Sequence, residues 1–148
     1  MLLARLSHGW PPRRLLWSIL ARMIREVIST PDAPAAIGPY SQGIRAQGDF
    51  YFFSGQIPLT PAGEMVEGGI EAQITQVLAN MDALLKAVGL TPKNIVKSSI
   101  FLSSMKHFAV VNAAYGSFVG EDPPARSTFA VAELPRGAEV EIEIIAVG

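Results

Sequence analysis

Three glutamates alternate with branched apolar residues across Glu139-Val-Glu-Ile-Glu-Ile-Ile-Ala-Val147. A strand sends successive side chains to opposite faces. Val140, Ile142 and Ile144 therefore line one side of a sheet, and Glu139, Glu141 and Glu143 line the other. The apolar side needs a covering layer, and two helical stretches provide it. Between Ile70 and Val88, Ile74, Val77, Leu78, Met81, Leu84, Leu85 and Val88 recur at three- and four-residue steps, the pattern of one buried helix stripe. Gly89 supplies its stop. Lys106 to Val119 repeats the pattern with Phe108, Val111, Tyr115 and Phe118, and Ser104 stands as its N-cap. The Met and aromatic residues of both helices read as core.

The remaining segments read as strands: Arg25 to Ser29, Ile44 to Ala46, Phe50 to Ile57, Ile95 to Ser103 and Arg126 to Glu133, with Ala138 to Val147 as the last. Thr30 to Gly43 holds three prolines and two glycines, which predicts a long ordered loop. The second and third strands are expected to pair around a tight turn at Gln47-Gly48-Asp49, and the last two are joined by a turn at Leu134-Pro-Arg-Gly137. The order β-β-β-α-β-α-β-β predicts an α+β domain, a mixed sheet of about six strands with two helices on one face.

Thirteen acidic and twelve basic side chains conceal an asymmetry. Residues 1–25 carry five arginines and no acid, while residues 26–148 carry seven basic and thirteen acidic groups, a net −6. Such an acidic body argues against a surface that tracks nucleic-acid phosphates. The absence of cysteine excludes disulfides, thiolate metal sites and a Cys nucleophile. With only His8 and His107, there is little material for a His-rich metal site, and His107 reads as an exposed residue without a role. No apolar run is long enough to span a bilayer. Residues 1–22 form a basic extension that interleaves Trp, Leu and Ile with arginine. Its composition fits an organelle-type targeting peptide, a membrane-surface or partner-binding helix, or sequence upstream of a start at Met23. The expected location is the cytoplasm, or an organelle such as the mitochondrion if the extension is a transit peptide.

Arg126 stands in Pro124-Ala-Arg-Ser-Thr128, a permanent cation among small and apolar residues. Such a guanidinium is costly unless an anion meets it, and its planar fork matches a carboxylate bidentately. The simplest reading is a receptor for a small carboxylic acid. Arg126, Thr128, Ala130 and Ala132 share one face of their strand. Together with the glutamates they suggest a second sheet face that is small and polar and meets water or another subunit. If the last two strands pair, Glu141 lies opposite Ala130, about 13 Å from Arg126 at strand spacing.

Five segments, taken in order, carry a resemblance: Ala33-Pro-Ala-Ala-Ile-Gly-Pro-Tyr-Ser-Gln-Gly43, Ser54-Gly-Gln-Ile57, Val111-Asn-Ala-Ala-Tyr115, Pro124-Ala-Arg-Ser127 and Glu139-Val-Glu-Ile-Glu-Ile-Ile-Ala-Val147. From Met23 to Gly148 the chain resembles the RidA (YjgF-like) family of enamine/imine deaminases. The resemblance implies a chorismate-mutase-like domain and a homotrimer whose sheets line an internal barrel, with ligand clefts between subunits. It implies hydrolysis of 2-imino acids such as 2-iminobutanoate and 2-iminopropanoate to 2-keto acids and ammonia. By position, Arg126 would clamp the substrate carboxylate and Glu141 would aim or activate the water. Tyr40, Ser54, Gly55 and Thr128 would complete the substrate pocket, and Asn112 would be structural. Many members carry Cys where this chain has Thr128. Imine hydrolysis needs no nucleophile there, since water attacks a protonated C=N directly. No metal or organic cofactor is expected, and the expected partners are a small imino or keto acid and two further copies of the chain. Two other function classes fit the same residues, a non-catalytic 2-keto acid sensor and an endoribonuclease-type translation inhibitor.

Overall fold

The computed structural model of the protein describes residues 22–148, so all but the last residue of the basic extension lies outside the described residues. Six strands and two helices follow in the expected order: β1 (Ile24–Ile28), β2 (Gly43–Gln47), β3 (Phe50–Gln56), α1 (Gly69–Ala87), β4 (Ile95–Leu102), α2 (Phe108–Val119), β5 (Ala125–Ala130) and β6 (Val140–Val147). Short 3-10 turns at Pro92–Asn94, Met105–His107 and Pro135–Gly137 join them. Among the described residues no helix is long and apolar enough to cross a membrane.

The periodicity of α1 is realised except at Val88, which caps the helix end and is exposed. Ile74, Val77, Met81 and Leu85 form one buried cluster with Val111, Tyr115 and Val119 of α2 and with Ile100, Leu102, Val140, Ile142 and Ile144 of the sheet. Both helices thus cover one sheet face. Truncating a fully buried member such as Ile142 to Ala would cost about 2–5 kcal/mol. Gly89 adopts φ 76° and ends α1, with its N–H on Lys86 O (3.0 Å) and the Leu90 N–H on Leu85 O (2.9 Å), which satisfies two of the last carbonyls. At the other helix, Ser104 Oγ accepts from the Lys106 N–H and opens the 3-10 turn that leads into α2.

The sheet differs from the expectation in two ways. The six strands do not form one sheet: β3-β6-β4-β5 make a four-stranded mixed sheet, and β1-β2 make a separate antiparallel pair. The expected hairpin between β2 and β3 is absent. At Asp49 the chain hands over to its own C-terminus, exchanging N–H and C=O with Gly148 at 2.9 and 3.0 Å. This starts β3 along β6, while β2 takes β1 as its ladder partner. Side-chain and bridge contacts tie the small pair down: Arg25 Nε donates to Ile95 O (2.9 Å), and the Ser41 N–H donates to Pro124 O (3.0 Å).

The last two strands do not pair either. β4 lies between them, parallel to β5 and antiparallel to β6. Arg126 stands beside Ser98, which stands beside Ile144, while Phe129 stands beside Phe101, which stands beside Glu141. Ser98 and Ile144 are buried toward the helices, so Arg126 lies on the helix side and Glu141 on the open side. The separation estimated for directly paired strands therefore does not apply. Nor is the open face small and polar. It carries Phe52, 76% exposed, and Phe129, 47% exposed, with Phe101 edge-on to Phe129 at 5.5 Å.

Candidate functional site

Two half-sites emerge, one on each side of the sheet. The first is built around Arg126. Its strand β5 is an edge strand, and its side chain runs under α2 toward the loop before β2. Arg126 Nη1 donates to Asn112 Oδ1 at 2.8 Å. The guanidinium carbon lies 5.4 Å from the Tyr115 ring centre, 5.5 Å from that of Tyr40 and 5.9 Å from that of Phe108. Ring faces attract a cation without neutralising it, at about 0.5–2 kcal/mol each. Among the described residues no carboxylate comes within salt-bridge distance of Arg126. Burial pushes the guanidinium's proton affinity down, and Tyr115 and Tyr40 offset part of that; an arginine remains charged regardless. Asn112 takes one of five N–H donors, so the fork retains capacity for an anion.

Gly38 backs this half-site, where an added Cβ would stand 3.6 Å from Arg126 Nη2 and 3.7 Å from Asn112 Oδ1. Thr128 shares the face of Arg126 two residues along the strand. Its Oγ1 is buried and, among the described residues, has no hydrogen-bond partner. A buried hydroxyl left in that state costs about 1–3 kcal/mol, which a polar ligand atom would relieve.

The second half-site centres on Glu141. Its carboxylate lies across Gly55 of β3, at the bulge where β3 changes register with β6. Any Cβ at Gly55 would meet Glu141 Cδ at 2.8 Å and Cγ at 3.0 Å. The absent side chain is thus what gives the carboxylate its resting place. Burial raises the Glu141 pKa, and the neighbouring Glu143 raises it further. Ser54 is exposed beside Gly55, and its carbonyl accepts from Gln56 Nε2 at 3.3 Å. A hollow of about 440 Å³ opens next to this half-site, bounded by Gly55, Gln56, Ile57, Asn80 and Leu84. Another of about 590 Å³ lies under the loop before β2 and reaches Tyr40. Neither of these two hollows is bounded by Arg126.

The structure therefore gathers Arg126 and Tyr40 on one side of the sheet, places Thr128 on that same face, and gathers Glu141, Gly55 and Ser54 on the other side. It does not unite the two sets within one chain. Sequence reasoning missed several contributors to the first set. Phe108 and Tyr115 read as helix core, yet both wall the guanidinium; Tyr115 belongs to the core as well. Asn112, read as structural, contacts the cation directly. The motif Val111-Asn-Ala-Ala-Tyr115 was the available signal, since Asn112 and Tyr115 lie three apart and so share a helix face. His107, read as exposed, is buried, with Nε2 3.3 Å from Glu139 Oε1. It pins the start of α2 to the approach of β6, and nothing local marks it.

Comparison with known proteins joins these observations. Residues 30–148 match the family model described as Endoribonuclease L-PSP. A mouse protein named 2-iminobutanoate/2-iminopropanoate deaminase is 45% identical over 129 residues, covering 86% of this chain and 95% of its own. The Arabidopsis thaliana protein named Reactive Intermediate Deaminase A, chloroplastic, is 43% identical over 145 residues, covering 97% of this chain and 77% of its own. Among solved structures, a Yersinia pestis protein of the conserved Rid family superposes with a TM-score of 0.78 at 30% identity, covering 84% of this chain and 98% of its own.

Proposed function

The chain belongs to the Endoribonuclease L-PSP family, the RidA/YjgF deaminases of the resemblance, and we propose that it hydrolyses 2-imino acids such as 2-iminobutanoate and 2-iminopropanoate. The observation that carries this reading is Arg126, a cation held by three ring faces and an amide, with no carboxylate at salt-bridge distance among the described residues. The substrate carboxylate completes its coordination. Water adds to the carbon of the protonated C=N bond, the C–N bond breaks, and the products are a 2-keto acid and ammonia. No electrons are transferred. Glu141 takes a proton from the attacking water and returns it to the nitrogen of the resulting carbinolamine, so that ammonia leaves as the C–N bond breaks and the hydroxyl proton is released as the C=O forms; such acid–base help contributes roughly 10²–10⁴-fold. Its raised pKa brings its basicity closer to neutral pH than that of an ordinary carboxylate.

Arg126 and Glu141 occupy opposite faces of one sheet, so a small substrate meets both only where two copies join. A homotrimer with clefts between neighbours, Arg126 from one copy and Glu141 from another, accommodates this. The exposed Phe52 and Phe129 on the open face supply apolar area for such a contact.

The test uses imines generated in place, with wild type beside Arg126→Ala. Losing a charge-assisted pair of hydrogen bonds should lower kcat/KM by about 10²–10³-fold; equal rates would remove Arg126 from the mechanism. Mixing Arg126→Ala with Glu141→Ala subunits and reassembling them should restore activity, because hybrids contain intact clefts. A mixture as inactive as its parents would place both residues in one chain's site and end the shared-cleft reading. The endoribonuclease description of the family fits poorly with a body of net charge −6.

A further inference from the structure

Tyr115 and Ser98 are each fully buried, and Tyr115 Oη donates to Ser98 Oγ at 2.7 Å. Each gives the other a polar partner in the buried layer between α2 and the sheet. A Phe–Ala pair there would leave no polar group to satisfy, and such a replacement can be nearly neutral or stabilising. Stability alone therefore does not account for the pair. Its placement does. Ser98 of β4 is the register partner of Arg126 on β5, and the Tyr115 ring face is the one nearest the guanidinium, at 5.4 Å. One hydrogen bond thus fixes the tyrosine to the strand position beside the arginine that lies against its ring.

We infer that the Tyr115–Ser98 pair is a positioning device for Arg126, setting the depth and plane of the guanidinium before a carboxylate arrives. Without the bond the ring has freedom to tilt about its own side-chain torsions, and the fork tilts with it. A bidentate match to a carboxylate depends on that plane. The inference rests on the reading of Arg126 as the carboxylate clamp. It concerns binding rather than the chemical step, which lies with Glu141.

The experiment measures the Kd for 2-oxobutanoate by calorimetry, KM and kcat with imines generated in place, and Tm, for Tyr115→Phe and separately for Ser98→Ala. Both variants should raise Kd and KM by about three- to tenfold, the equivalent of one neutral hydrogen bond, with kcat within about twofold of wild type. Arg126→Lys supplies the control, because an ammonium has no plane for a ring to set. Tyr115→Phe in that background should leave KM where Arg126→Lys alone puts it. An unchanged Kd in both single variants, whatever happens to Tm, overturns the inference. So does the same fold-loss in the lysine background. Calorimetry needs no turnover, so a wild type that binds keto acid without hydrolysing imines would remove the deaminase reading and leave this one standing. A wild type that neither binds keto acid nor hydrolyses imines would remove both.

Discussion

Gly55→Ala is the sharpest probe of the Glu141 half-site. The new methyl would stand 2.8 Å from Glu141 Cδ and 3.0 Å from Cγ, and within the contact radius of Oε1. All three obstructing atoms belong to a flexible side chain and none to the backbone. The clash is relieved by swinging the carboxylate away, at a cost well below that of moving a strand. Alanine also lowers the entropy of the unfolded chain, which is worth about 0.4–1 kcal/mol where no strain results. Stability should therefore change little, with Tm within about 4 °C of wild type. Activity should fall by the full contribution of a positioned base, roughly 10²–10⁴-fold. The assay is imine hydrolysis with paired thermal melts, repeated in a Glu141→Gln background. That background keeps the side-chain shape, so adding Gly55→Ala should cause no further loss. Activity within about threefold of wild type would show that the carboxylate does not work from its place over Gly55. A large drop in Tm would show that the strand, not the side chain, absorbs the clash.

Two further outcomes follow from groups on either face. Burial and Glu143 both raise the Glu141 pKa, so the acidic limb of the kcat/KM profile should lie above the ordinary carboxylate range and move down in Glu143→Gln; a limb that stays put would mean Glu141 is not the titrating base. Stability takes the matching sign: a carboxyl whose folded pKa exceeds its unfolded value holds an extra proton when folded, and this contribution is complete below the unfolded pKa and lost as pH rises through the folded one. On the other face, Thr128→Val keeps the shape and deletes the unpartnered hydroxyl. It should stabilise the ligand-free protein by about 1–2 kcal/mol, read as a higher Tm, while weakening 2-oxobutanoate binding; a lower Tm would show that the hydroxyl is satisfied in the free protein.

Both helices and the parity of β6 were legible because each buries one face against the same core, and burial of one face writes a period into the sequence. Strand partners were not. The short link at Gln47-Gly48-Asp49 reads as a hairpin, but β1 and the C-terminal Gly148 offer ladders that outcompete it, and neither competitor is local. Alternation likewise fixes which residues of β5 share a face, but not which face of the sheet that is. That depends on β4, whose register places Arg126 beside Ser98 and Glu141 beside Phe101. The undecidable parity is also where the proposed chemistry lies. On a common face, Arg126 and Glu141 would be free to approach as an ion pair. The guanidinium would then be spent on an internal carboxylate, and the carboxylate's pKa would fall rather than rise. Separated by the sheet, the cation stays without an anion and the carboxylate stays weakly acidic. In the proposed trimer they meet only across a subunit boundary, where a substrate's own carboxylate stands between them to take the charge.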